Sequence, residues 1–118
     1  MDEFRTPQLV DVDPTLNLNT FLTARAASAP DTTLIELKTL ATGPWIPMSA
    51  REFDAEVVAV AKGLVAHGVE PGAHVGIMCR TRFEWTLLDW AIWATGAVPV
   101  PVYETSSATS ARTCSLSG

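Results

Sequence analysis

The segment from His74 to Tyr103 constrains this chain more than any other, because it dictates a strand, a helix and a second strand joined by very short connections. His74 to Cys79 is a compact apolar run of strand length, set off by the turn signal Pro71-Gly72. Thr81-Arg82-Phe83-Glu84 has the form of a capping box, in which Thr81 and Glu84 would each satisfy a backbone N–H. It predicts a helix that runs to about Thr95 and stops at Gly96. Ala97 to Tyr103 then alternates Val98, Val100 and Val102 with Pro99 and Pro101. The prolines lie two apart, so their missing donors face one side and the opposite edge is free to pair. This order predicts a parallel, right-handed crossover unit, the core of an α/β fold.

The helix within that unit carries a second constraint. Phe83, Trp85, Leu87, Leu88, Trp90, Ala91, Ile92, Trp93 and Ala94 wrap nearly its whole circumference, so it needs cover on several sides. A membrane span is a poor explanation: about 20 apolar residues are required, and this run is shorter and interrupted by Glu84 and Asp89. Burial inside a larger protein is the expectation.

Upstream, the first residues show no sustained period and read as an extended arm with Pro7 and Pro14. A cap at Asn19 or Thr20 is expected to open a short helix through Phe21, Leu22, Arg25, Ala26 and Ala29, closed by Pro30-Asp31. Thr33 to Lys38 and Trp45 to Met48 predict two short strands joined by a loop at Gly43-Pro44, with Pro47 marking the second as brief or at an edge. Ser49-Ala50-Arg51-Glu52 is a second capping box. Phe53, Val57, Val60, Ala61, Leu64 and Val65 follow it at helical spacing, until His67-Gly68 supplies a left-handed stop.

Composition narrows the function classes. The chain has 118 residues, 47% of them hydrophobic and 18% charged, so it is built to pack a core and lies far from the composition of disordered chains. A net charge of −5 argues against nucleic-acid binding, which draws on Lys and Arg to neutralise phosphates. Cys79 and Cys114 are too few for a disulfide framework, and Met1-Asp2-Glu3-Phe4 lacks the layout of a secretory signal, so a reducing cytoplasm is expected.

Candidate sites read individually are bland. His67 and His74 flank a turn without metal-ligand spacing to Cys79. His67 suits a helix C-terminus, and Cys79 suits a small buried or half-buried hydrophobe at a strand end. Gly68, Gly72 and Gly76 are evenly spaced, but Pro71 makes them a turn rather than a dinucleotide loop. Glu84 and Asp89 do not share a helix face, and Glu84 is expected to serve the Thr81 cap. Ser106 and Ser107 have no partner base in the pattern, which leaves a polar loop after a strand.

Several segments together resemble a known family. Trp45-Ile46-Pro47-Met48-Ser49 leading into Glu52-Phe53, then Gly63-Leu64, Gly68-Val69-Glu70-Pro71-Gly72 and Val75-Gly76-Ile77-Met78, are similar to the N-terminal region of long-chain acyl-CoA synthetases. Glu84-Trp85, Asp89 to Trp93, Gly96 to Tyr103 and Thr105-Ser106-Ser107 resemble the fatty acid–CoA ligase branch in particular. The resemblance is strong over roughly half of the chain. It implies a two-step, magnesium-dependent ligase in which a fatty acid carboxylate attacks ATP to form an acyl-adenylate, and the thiol of coenzyme A then displaces AMP. Fatty acid, ATP and coenzyme A are the partners it implies for a full-length enzyme. The same analogy brings Tyr103 to Ser107, at a strand end, near a substrate crevice of that enzyme.

The family's chemistry relies on a Ser/Thr/Gly-rich phosphate loop, a later aspartate for the ribose and a lysine in a mobile C-terminal domain, and none of these maps onto this sequence. Thr105-Ser106-Ser107-Ala108-Thr109-Ser110 lacks glycine and a following lysine, so it cannot form a phosphate cradle. No catalytic, cofactor-binding or metal-binding residue is therefore assigned. The expected organisation is an extended arm over 1–17, an incomplete N-terminal part of a synthetase large domain over 18–107, and a divergent, disordered tail over 108–118. The Ser/Thr-rich composition after Ser107 suggests a shifted reading frame or a truncated gene. The function expected is that of a ligase fragment, inactive alone. The alternative is a non-enzymatic binding module that docks a partner or lipid through the Trp-rich helix.

Overall fold

The computed structural model describes residues 2–109. Helix α1 (Leu18–Ser28) opens at Asn17, whose extended backbone lets its side-chain oxygen accept from the Thr20 N–H at 3.1 Å. This corrects the expected cap at Asn19 or Thr20. Three cap-competent residues stand close together, and the Thr20 hydroxyl is itself held by Asn17 at 3.2 Å.

Strands β1 (Thr33–Leu37) and β2 (Ile46–Ser49) pair antiparallel as a hairpin, with Glu36 opposite Pro47 and an irregularity between Thr33 and Ile35. Helix α2 (Ala50–Ala66) follows without a linker, and its capping box is complete. The Glu52 N–H donates to Ser49 Oγ at 3.2 Å, and the Ser49 N–H donates to the Glu52 carboxylate at 2.7 Å. Two further orphan donors of its first turn, on Ala50 and Arg51, reach the carbonyls of Thr32 and Pro30 at 2.9 and 3.0 Å. The hairpin is thereby locked to the start of α2. Gly68 ends the helix at φ 94°, and His67 Nδ1 sits 2.8 Å from the Gly63 carbonyl oxygen, in keeping with its expected helix-end role.

Strands β3 (His74–Ile77) and β4 (Val98–Pro101) are parallel, connected through helix α3 (Phe83–Ala94). The expected use of the prolines holds. The Val98 and Val102 N–H groups donate to Ala73 and Ile77 at 2.8 Å each, which turns the donor-less Pro99 and Pro101 to the outer edge.

The expected Thr81–Glu84 capping box does not form. The helix begins at Phe83 with Arg82 as its cap, which places Glu84 one position short of where a box needs its acid, and no side chain caps this end. Arg82 instead donates to the Glu84 carboxylate from Nε at 2.6 Å and Nη2 at 2.8 Å. That forked pair lowers the Glu84 carboxyl below its ordinary pKa, and raises that of the guanidinium.

Two apolar clusters form the core. Leu22, Phe53, Val57 and Leu87 make the first, with Ile35, Met48, Val60, Phe83 and Trp90 packed against it. Ile77, Ile92 and Ala97 make the second, flanked by Leu64, Val75, Cys79, Trp85 and Leu88 among others. The tryptophans of α3 are half-buried rather than exposed, and Trp90 and Trp93 meet edge to face at 5.3 Å. Among the described residues no helix is long and apolar enough to cross a membrane. Residues 108 and 109, placed in the expected disordered tail, are helical; the rest of that stretch lies outside the described residues.

Candidate functional site

Parallel strands in register bring their carboxyl ends to the same level, and the loops that leave them open a crevice. Here that crevice is a cleft of about 330 Å³ at the ends of β3 and β4. Cys79, Arg80 and Thr81 line it from the first loop, Pro101 from the end of β4 and Val102 to Glu104 from the loop after it, and Trp85 from the first turn of α3.

The chemistry available there is recognition. Arg80 Nε lies 3.4 Å from the Glu104 carboxylate, an exposed pair that bridges the two loops. Tyr103 is 84% exposed, its ring standing free at the cleft. Cys79 is half-buried against the second cluster, as its expected role as a small hydrophobe requires. No base is set against a nucleophile within the lining.

The residues singled out in the sequence do not converge on this cleft. Tyr103 reaches it, whereas Ser106 and Ser107 do not line it, and the Ser106 N–H is turned back onto the Tyr103 carbonyl at 3.0 Å. His67 and His74 do not line it either. Among the described residues no three His, Cys, Asp or Glu side chains are grouped to hold a metal ion. Arg80 and Glu104 were not anticipated. The signal was present in the register: each residue follows its strand by three positions, so parallel pairing of Ile77 with Pro101 brings them together.

The residues present do not fit ATP or magnesium. The loop after β4, Glu104 to Thr109, contains neither a glycine to open the backbone around phosphates nor a lysine to meet them. No step through either group is derived from this cleft.

Comparison with known proteins accounts for the arrangement. The model of the AMP-binding enzyme family matches residues 22–115. Long-chain-fatty-acid–CoA ligase FadD15 from Mycobacterium bovis is 47% identical over 70 residues, which are 59% of this chain and 12% of the ligase. The corresponding ligase from Mycobacterium tuberculosis matches equally, so the chain spans about an eighth of the length of these curated relatives. Among solved structures, a protein described as a long-chain-fatty-acid CoA ligase from Rhodopseudomonas palustris superposes with a TM-score of 0.68 at 26% identity, over 80% of this chain and 22% of that one. The N-terminal subdomain of Klebsiella oxytoca NpsA shares the fold with a TM-score of 0.64 at 22% identity, over 76% of this chain and 22% of that one. With its fold shared with these solved structures and a family match across most of its length, this chain belongs to the AMP-binding enzyme family.

Proposed function

We propose that this chain is the N-terminal part of the large domain of a fatty acid–CoA ligase, an enzyme that activates a fatty acid with ATP as an acyl-adenylate and passes it to coenzyme A. The observation that carries the reading is the 47% identity over 70 residues to a long-chain-fatty-acid–CoA ligase. In this reading residues 1–17 are an arm and 18–107 an incomplete folding unit. Residues 108–118 are set apart by composition, although the family match continues to residue 115. The complete enzyme uses ATP, magnesium and coenzyme A and works in the cytoplasm. The 118 residues alone perform neither half-reaction, because they supply no phosphate loop.

The role of this segment is to scaffold. Its two clusters hold β3 and β4 in register, and the cleft at their ends offers Arg80, Glu104 and Tyr103 to whatever the rest of the enzyme presents there. The reading in which the Trp-rich helix docks a partner or lipid draws no support from the packing, since Trp85, Trp90 and Trp93 are half-buried against the chain's own clusters or each other.

Two assays test the reading. The purified chain, given ATP, magnesium, palmitate and coenzyme A, is expected to release no AMP; steady release contradicts its inactivity. A chimaera of the Mycobacterium tuberculosis ligase, with its matching 70 residues replaced by those of this chain, is expected to retain palmitoyl-CoA synthesis. A chimaera that folds yet forms no thioester refutes the assignment.

A further inference from the structure

Pro47 fixes which way the backbone groups of the hairpin point. It stands opposite Glu36 and has no N–H, so the two form a non-hydrogen-bonded pair, and the bonds between the strands run through Ile35 with Met48 and Leu37 with Ile46. The Glu36 N–H and C=O therefore face away from β2, and alternation turns those of Lys38, two residues on, the same way. Among the described residues β1 has no neighbour on that side. A groove of about 890 Å³ lies open along it, with Ile35 to Thr39 on one wall and Thr81 to Glu84 and Thr86, at the start of α3, on the other. Strand β2 offers no such edge, because the same pairing turns the donor-less nitrogen of Pro47 outward. Glu36 and Lys38 are exposed and share one face of the strand, where the Lys38 ammonium stands 5.3 Å from the centre of the Trp45 ring. Among the described residues neither has an ion-pair partner.

We propose that β1 pairs antiparallel with β1 of a second copy of this chain, about a two-fold axis at Leu37. A two-fold pairing sets residue i against residue j and j against i, so the axis alone decides which side chains meet. An axis at Glu36 sets two carboxylates opposite each other, and one at Lys38 sets two ammonium groups opposite, both unfavourable. An axis at Ile35 sets Glu36 against Leu34, with no charge to meet it. An axis at Leu37 sets Glu36 against Lys38 in both symmetric places, and each of these pairs exchanges both of its outward backbone bonds. It also brings Leu37 against its own copy at the closer spacing of a non-hydrogen-bonded pair. Glu36-Leu37-Lys38 is thus its own complement when read antiparallel, which selects a second copy over an unrelated peptide. The product is one continuous sheet in the order β2, β1, β1, β2. Both of its outer edges carry Pro47, so the pairing closes at a dimer. This inference goes beyond the ligase reading, since it concerns self-association through a strand edge and involves no substrate.

Sedimentation equilibrium of the 118-residue chain over a concentration series tests it. A monomer–dimer equilibrium is expected, weakened by salt because the ion pairs are exposed. Lys38→Glu and Glu36→Lys each set like charges opposite in both symmetric places and should raise the dissociation constant about tenfold. The double variant, Glu36→Lys with Lys38→Glu, exchanges the charges and should restore the original value. An equimolar mixture of the two single variants should form a mixed dimer, since every pair across it is then of opposite charge. Both positions are exposed and outside the two core clusters, so the urea midpoint of each variant should stay close to that of the parent. A peptide of residues 33–38 should compete for the dimer. The proposal is overturned by a chain that stays monomeric, by association that continues past the dimer, or by single variants that do not recover on mixing. A dimer indifferent to both charge reversals overturns it too, by placing the contact on another edge such as that of β3. Equal competition by a scrambled peptide of the same composition would make the edge a general peptide site and equally overturn it. None of these outcomes bears on acyl-CoA synthesis by the chimaera, so the two readings fail separately.

Discussion

Phe53 is the side chain through which the first cluster is tied together, and its removal gives a magnitude that can be worked from the packing. It is 1% exposed and meets two rings edge on, Phe83 at 6.2 Å and Trp90 at 6.4 Å. Truncating a buried Phe to Ala costs about 3 to 5 kcal/mol, from lost transfer energy and the cavity left behind. Two edge-on ring pairs, each worth about 0.5 to 1.5 kcal/mol, place Phe53→Ala at the upper end, near 4 to 5 kcal/mol. A small domain has about 5 to 15 kcal/mol in all, so this one change removes about a quarter or more of the stability. In urea, with a slope of about 2 kcal/mol per molar for a chain of this size, the unfolding midpoint followed by circular dichroism should fall by about 2 M. Val58→Ala serves as the reference: Val58 lies on the same helix but is exposed, and its truncation should cost less than about 0.5 kcal/mol. If Phe53→Ala shifts the midpoint no more than Val58→Ala does, the first cluster is not what holds α1, α2 and α3 together.

Three further outcomes are expected. Ser49→Ala removes the acceptor for the Glu52 N–H and should lower stability by about 1 kcal/mol, read by the same urea titration; no change would mean the capping box contributes nothing. Gly68→Ala places a Cβ in open space but on a backbone at φ 94°, so a loss of about 1 to 2 kcal/mol should come from conformation alone, and Gly68→Asn should lose less. Asp89, on α3, has its carboxyl pushed above the ordinary carboxylate value by burial, so the folded state holds the proton more tightly than the unfolded one. Stability therefore falls as pH rises from the unfolded pKa through the folded one, and the penalty is fully present above that. Asp89→Asn should raise the melting temperature at pH 7, with a gain that shrinks as the pH drops into the carboxylate range. A gain that is constant with pH would remove desolvation as the cause.

The parts legible in the sequence are those governed by neighbours along the chain. Ser49 and Glu52 cap their helix because they sit three apart at a chain reversal, and Pro99 and Pro101 orient their strand because alternation is a local property. Where several local solutions compete, the sequence does not choose between them. Asn17, Asn19 and Thr20 can each cap a helix, and which one does depends on where the backbone turns extended. Glu84 can close a cap or meet Arg82, and the helix start at Phe83 leaves only the second. The Arg80–Glu104 pair required strands far apart in sequence to be brought together: each residue stands three positions past its strand, and that spacing becomes a contact only once the two strands pair in register. The cleft itself could be anticipated only as far as Tyr103, through the general rule for the carboxyl ends of parallel strands.

The apolar circumference of α3 finds its explanation in those same long-range contacts. A helix apolar all round must be covered on more than one side. Phe83, Leu87 and Trp90 turn to the first cluster, where α1, α2 and the hairpin meet. Trp85, Leu88 and Ile92 turn to the second, under β3 and β4. Leu87 and Ile92, five residues apart, are both buried, yet in different clusters, which one amphipathic stripe could not achieve. The helix is thus the shared wall between a hairpin-and-helix layer and a parallel-strand layer. A change that narrows its apolar surface, such as Trp85→Glu, should loosen the strand pair that frames the cleft while leaving the Phe53 cluster packed. Hydrogen exchange resolves the two: amides of β3 and β4 should lose protection before those of α2, and uniform loss across both would mean that the two clusters unfold as one unit.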